Sequence, residues 1–212
     1  MSGSIQARIN RGMGAGAASL GLPHWIYHPT DPLAPLSRRQ SGIPAAFDVD
    51  PHFSHRKPAA YGQPIYYGLL DASRLVVGDY LVGQDGDTYF VGALEQDKPP
   101  LCVRCNAVLT VSRPAPSPAG GGYYGADQQA DETPLMTGWP ASVLQGLRGE
   151  PSATGLPGDT RMPWYTVLLP AFPGVELQQA DRISDDLGRR MTISSAEQSP
   201  HGWRLSVQQD AN

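Results

Sequence analysis

At 212 residues the chain is long enough to bury a core without disulfides, as one large domain or two small ones. Charged residues make up 17% and the formal net charge is −4, which excludes a nucleic-acid binder that relies on a broad basic surface. No run of 18 apolar residues occurs, so no helical membrane span is expected. The 24 glycines and 21 prolines favour short strands, turns and extended segments.

The first residues, "MSGSIQARINRGMGAG", lack an apolar signal core, so synthesis and retention in the cytoplasm are expected. Residues 4–20 place Ile5, Ile9, Met13, Ala17 and Leu20 on one stripe of a helix, with Ser4 as its N-cap. Gly12, Gly14 and Gly16 each weaken that helix by about 1 kcal/mol relative to alanine, so it needs a surface to lie on. "GMGAGA" follows no strand, which argues against a dinucleotide loop. Residues 21–42 carry Pro23, Pro29, Pro32 and Pro35 beside Trp25, Ile26 and Tyr27. That density predicts an extended arm and argues against a central strand. The arm either crosses its own domain or docks on another subunit, and residues 1–42 together are expected to act as a docking element.

From residue 43 strand signals dominate, and they come twice. "IPAAF" (43–47), "QPIYYGLLD" (63–71), "GDYLVG" (78–83), "DTYFVGALEQ" (87–96) and "LCVRCNAVLTVSRP" (101–114) form the first series. "WPASV" (139–143), "MPWYTVLLP" (162–170), "ADRISD" (180–185), "RRMTISSAEQ" (189–198) and "WRLSVQQ" (203–209) form the second. An offset of 102 aligns Asp79 with Asp181, Gly86 with Gly188, Glu95 with Glu197 and Gln96 with Gln198. It also lays Leu81 and Val91 on Ile183 and Ile193. The first strands align at an offset of 99. Five matched elements in one order indicate an internal duplication.

Within each copy the pattern is that of a hairpin. Asp85-Gly86 supplies a turn with positive φ, flanked by alternating Tyr80, Val82, Tyr89 and Val91. Leu187-Gly188 takes that place in the second copy. The expected fold is mainly β: two tandem, similar, small antiparallel barrels or sandwiches behind a short helix and an extended arm. The expected boundaries are 43–113 for the first barrel, 114–136 for a Gly/Pro-rich linker or projecting loop, and 137–212 for the second barrel.

Few residues carry chemistry. Cys102 and Cys105 stand three apart in an alternating run, so they face opposite sides of a sheet and read as packed thiols. "DVDPHFSH" gathers Asp48, Asp50, His52 and His55, but in a proline-containing loop without the i, i+4 spacing of a helical metal site. Asp185 and Asp186 before Gly188 lack the spacing of a calcium loop and serve as turn formers. There is no G-x-S-x-G elbow. No catalytic, cofactor-binding or metal residue is expected, and the chain is not expected to be an enzyme.

The hairpin Gly78-Asp79-Tyr80-Leu81, Gly86 and Tyr89 to Val91, with Asp181, Ile183, Gly188 and Ile193 as counterparts, resembles the head–tail joining (stopper or connector) proteins of tailed bacteriophages. The segment from "IQARINRGMGAGAASLG" through "YHPTDPLAP" is similar to the start of phage and prophage structural proteins. The resemblance implies a virion protein that forms a homo-oligomeric ring in the neck. Such a ring would have a portal or adaptor protein above, a tail protein below, and DNA passing without sequence-specific contacts. Family stoppers carry one barrel where this chain carries two, so adaptor, tail-nozzle and tail-hub positions also remain open. A reading of another class is a monomeric ligand-binding β-module that uses Tyr66, Tyr67, Trp164 and Tyr165 as an aromatic platform. A cell-wall hydrolase would need an acid–base pair that the sequence does not place.

Overall fold

The computed structural model describes residues 2–54, 62–115, 132–146 and 163–210, the side chains of residues 2–4 excepted. Helix α1 (Ser2–Leu20) precedes twelve strands. They are β1 (Leu22–Tyr27), β2 (Arg39–Asp48), β3 (Ile65–Leu69), β4 (Tyr80–Gly83), β5 (Thr88–Ala93) and β6 (Leu101–Cys105), then β7 (Ala107–Pro114), β8 (Glu132–Gln145), β9 (Trp164–Leu169), β10 (Arg182–Asp185), β11 (Arg190–Ser199) and β12 (Gly202–Gln209). The protein is mainly β, as its sequence predicts.

Two closed antiparallel barrels result, with strand orders β1-β2-β3-β6-β5-β4 and β7-β8-β9-β12-β11-β10. Adding six to each strand of the first order generates the second. The ladders fix the equivalence residue by residue. Tyr27 faces Tyr80 in the first barrel, and Ser112 faces Arg182 in the second. Gly86 and Gly188 both adopt positive φ, +84° and +77°, at the hairpin turn. Each lies in open space, so the backbone conformation alone demands glycine there. The register slips once on the way out of each hairpin, between Val91 and Ala93 and again between Ile193 and Ser195. These bulges stand 102 residues apart and bend both strands at the same height.

Three expectations need correction. The proline-rich stretch 22–27 is a full barrel strand, paired with β2 on one side and β4 on the other. Proline is tolerated because Pro23 and Pro44 face each other where their second ladders have not begun: β4 meets β1 only from His24, and β3 meets β2 only from Ala46. "LCVRCNAVLTVSRP" is two strands in two barrels, broken at Asn106. The first barrel therefore spans 22–105 and the second 107–209. Residues 114–136 do not separate the barrels, because Pro114 pairs with Glu132 within the β7–β8 ladder. Most of that segment lies outside the described residues.

The first core gathers Ile26, Ile43, Leu81, Tyr89, Val91 and Cys102. On the same strands the intervening Tyr80, Phe90 and Val103 point outward, and all three are buried in the core of the second barrel with Trp139 and Met136. The Tyr80 hydroxyl donates to the Pro140 carbonyl at 2.8 Å, and its ring meets Trp139 edge-on. Strands β4–β6 are thus apolar on both faces. Asn106 is the whole covalent joint. Its side chain donates to Val143 O (2.9 Å) and accepts from Val143 N (2.7 Å), while its own N–H donates to Ala141 O (2.9 Å).

Helix α1 lies on β2, β3 and the turn Ala72–Arg74. Gly14 and Gly16 sit against Asp71 and Leu69, where a Cβ on Gly14 would come within 3.0 Å of the Asp71 Cβ. Their lack of side chain lets the helix approach, which offsets their poor helix propensity. Ala17 is buried, whereas Ile5 and Leu20 remain 53% and 70% exposed. The segment after β1 crosses to the second barrel, where Pro32 O accepts from Trp139 Nε1 (2.6 Å) and Thr137 N (3.0 Å).

Candidate functional site

The duplicated fold places an aspartate before the fourth strand of each barrel, and both are buried. Asp79 Oδ2 accepts from Val76 N at 2.9 Å, and Asp181 Oδ2 from Gln178 N at 2.7 Å. Each carboxylate also meets a nitrogen-bearing side chain at the equivalent position, but a different one. In the first barrel it is His28, with Nδ1 2.5 Å from Asp79 Oδ1. In the second it is Arg113, which donates from Nε and Nη2 to both oxygens of Asp181 at 2.8 Å. Burial raises the Asp79 carboxyl above its usual range, against the opposing pull of the Val76 amide and His28. The two aspartates shape tight turns in both copies, which is a structural task.

The barrel ends beside the hairpins differ more. In the second barrel Asp185 Oδ1 accepts from Leu187 N and Arg189 N, and its Oδ2 from Arg189 Nε at 2.6 Å. The Arg189 guanidinium also lies 5.0 Å from the centre of the Tyr165 ring. A protein cation, a carboxylate and an aromatic ring close this end.

In the first barrel Gly83 stands where Asp185 would be, and His24 stands where Leu109 would be. A cavity of about 230 Å³ opens there between β1, β2 and the β4–β5 hairpin. His24 is 5% exposed. Its Nδ1 lies 2.9 Å from Leu22 O and donates to it, which leaves Nε2 as the acceptor in the neutral ring. Nε2 has no hydrogen-bond partner among the described residues and leans over Gly83, where a Cβ would lie 3.0 Å away. Phe47 and Tyr89 stack at 3.8 Å, and His24 meets Phe47 edge-on at 5.2 Å. Burial, then Asp87, pushes the Tyr89 hydroxyl up to about 12, so it stays neutral. Asp85 and Asp87 stand on the exposed hairpin at the cavity's edge. Asp87 is engaged by Arg104 at 2.7 Å.

The residues singled out in the sequence are scattered. Asp48 accepts from Asp50 N, and Asp50 accepts from His52 N and the Ser54 hydroxyl, so both carboxylates hold their own loop. His55 lies outside the described residues. Among the described residues no three His, Cys, Asp or Glu gather around a common metal position. Cys102 packs inside the first barrel, whereas Cys105 touches the other cluster, on opposite faces as their spacing predicts. Burial pushes the Cys102 thiol up to about 12 and the Cys105 thiol higher still. Tyr66 and Tyr67 lie on β3, and Trp164 and Tyr165 on the equivalent β9. They belong to different barrels and build no common platform. Tyr66 turns instead to Tyr89, 5.8 Å away. His24 escaped sequence reading because only the β1–β4 register brings it to Gly83.

Helix α1 is not long and apolar enough to cross a membrane. Comparison with known proteins gives no match: no family model, no curated protein and no solved structure corresponds to this chain.

Proposed function

We propose that the protein is a structural component of a tailed-phage virion, forming a ring at the junction of head and tail. The observation that supports this most is the union of the barrels. Two closed barrels share apolar residues across β4–β6 and are joined through one clamped residue, giving a unit that resists bending. A repeated load-bearing ring needs such a unit more than it needs a mobile pair of domains. The exposed Ile5, Leu20 and Leu22 on and beside α1 supply apolar surface for a neighbouring subunit. In this reading the portal or adaptor protein lies above the ring and a tail protein below. A tail-hub or nozzle position is the alternative within the same class.

Light scattering on the purified protein, followed by electron microscopy, tests the proposal through the mass and symmetry of a closed ring. Copurification with portal or tail proteins tests its neighbours. A strictly monomeric protein that stays out of particles overturns it. Truncation must stop at Gly21, since removal of residues 1–42 would take β1 and part of β2 out of the first barrel. Deletion of residues 2–20 should leave both barrels folded while weakening ring formation.

A further inference from the structure

From the cavity at the hairpin end of the first barrel we infer a binding site for an alkyl-guanidinium or alkyl-ammonium group. The equivalent end of the second barrel is filled from within. There Arg189, at the position of Asp87, fills the space with its own guanidinium, held by Asp185 and the ring of Tyr165. The first barrel exchanges those residues for Gly83 and Asp87, and it replaces the apolar Leu109 by His24. No side chain of β5 returns a cation to this place. Arg104 on β6 pairs with Asp87 and donates to Tyr66 beside Tyr89, so its guanidinium sits behind the aromatic wall and outside the residues that line the cavity.

What the cavity offers suits a cation that donates hydrogen bonds. His24 presents an unpartnered acceptor at Nε2, fixed by the Leu22 carbonyl on the opposite nitrogen. Asp85 is a carboxylate at the edge with no ion pair among the described residues. Phe47 and Tyr89, stacked on each other at 3.8 Å, give the cavity a rigid aromatic wall. Leu20 and Leu22 at the mouth, 70% and 59% exposed, match an alkyl stem. At about 230 Å³ the space suits one such group rather than a drug-sized molecule. His24, Asp85 and Asp87 do not gather around a common metal position, so a metal ion is the poorer occupant.

The full chain is titrated with agmatine, N-acetyl-arginine amide and the neutral isostere N-acetyl-citrulline amide, following the ring resonances of His24 and Tyr89. Both cations should give saturable shifts, with the citrulline compound about tenfold weaker, as expected for loss of a charge-assisted contact. Stronger binding of the arginine amide assigns the site to a side chain of a partner protein, and stronger binding of agmatine to a free amine. His24→Leu, which installs the residue of the second barrel, should weaken binding about tenfold. Should that variant fold poorly, the surface change Asp85→Asn should still weaken the cations about threefold and leave the neutral compound unaffected. Equal binding of cation and neutral isostere overturns the inference. So does unsaturable binding, or a folded His24→Leu protein that binds as wild type. The titration uses unassembled protein, because a neighbouring subunit on Leu20 and Leu22 would cover the mouth, and light scattering on the same sample reads ring formation separately.

Discussion

The two barrels share one strand order and carry different interiors. The second is closed by large groups: Trp139 stands at the position that Ile43 holds in the first, and Asp185 with Arg189 seals the hairpin end. The first keeps a smaller core, a histidine under its hairpin and a cavity. Its residues Tyr80, Phe90 and Val103 complete its neighbour's interior rather than its own. Duplication preserves the hydrogen-bonded frame, meaning the turn glycines, bulges and buried aspartates. Side chains that fill the frame are freer to diverge, and divergence at one end leaves room for another role.

The largest effect should come from the filled barrel. Trp139→Ala removes a fully buried ring and its bond to Pro32, and should cost about 3–5 kcal/mol in chemical denaturation. The equivalent Ile43→Val should cost about 0.5–1.5 kcal/mol. A Trp139→Ala cost as small as that of Ile43→Val would show that the large ring is not what closes the second barrel.

Next in size are the paired aspartates. Arg113→Ala leaves the buried Asp181 without its two-pronged partner and should destabilise by about 1.5–3 kcal/mol. His28→Ala, at the same position of the first barrel, removes a single contact of a side chain that is 42% exposed, and should cost less than half as much. Thermal melts of the two variants decide the order.

The pH response sharpens the same contrast. Burial raises the folded-state carboxyl of Asp79, so its stabilising contribution is present below the ordinary carboxylate range and is lost as pH rises through the raised value. Asp79→Asn can keep the acceptor for Val76 and does not ionise. Its melting temperature relative to wild type should therefore be higher at neutral pH, with the gain vanishing below about pH 4. A gain that grows toward acid would reverse the sign and refute the assignment.

The smallest effect should also be the most symmetrical. Gly86→Ala and Gly188→Ala each place a side chain at positive φ in open space, and each should cost about 1–2 kcal/mol at most. Unequal costs would show that the two hairpins are less alike than their geometry.

What could be read in advance follows from how local the signal is. The Asp85-Gly86 turn, the alternation around it and the 102-residue offset are properties of adjacent residues, and the ladders place them where the pattern does. Strand β1 was hidden because proline statistics describe central strands, whereas Pro23 lies outside its second ladder. The boundary at Asn106 was hidden because apolar alternation runs through it, with only one polar residue to mark the change of barrel. The cavity was hidden for a third reason: His24 and Gly83 are far apart in sequence and meet only when the barrel closes.

The buried Tyr80, Phe90 and Val103 have a consequence during synthesis. The first barrel is complete once Cys105 has left the ribosome, but the second barrel, whose core takes in these three residues, is complete only at Gln209. At about 5–20 residues per second, some 5–20 seconds pass before that core can form. Throughout this interval the nascent chain displays an aromatic patch on an already folded barrel. It is then a natural client for a holdase chaperone, and slowing elongation after Cys105 should raise its aggregation.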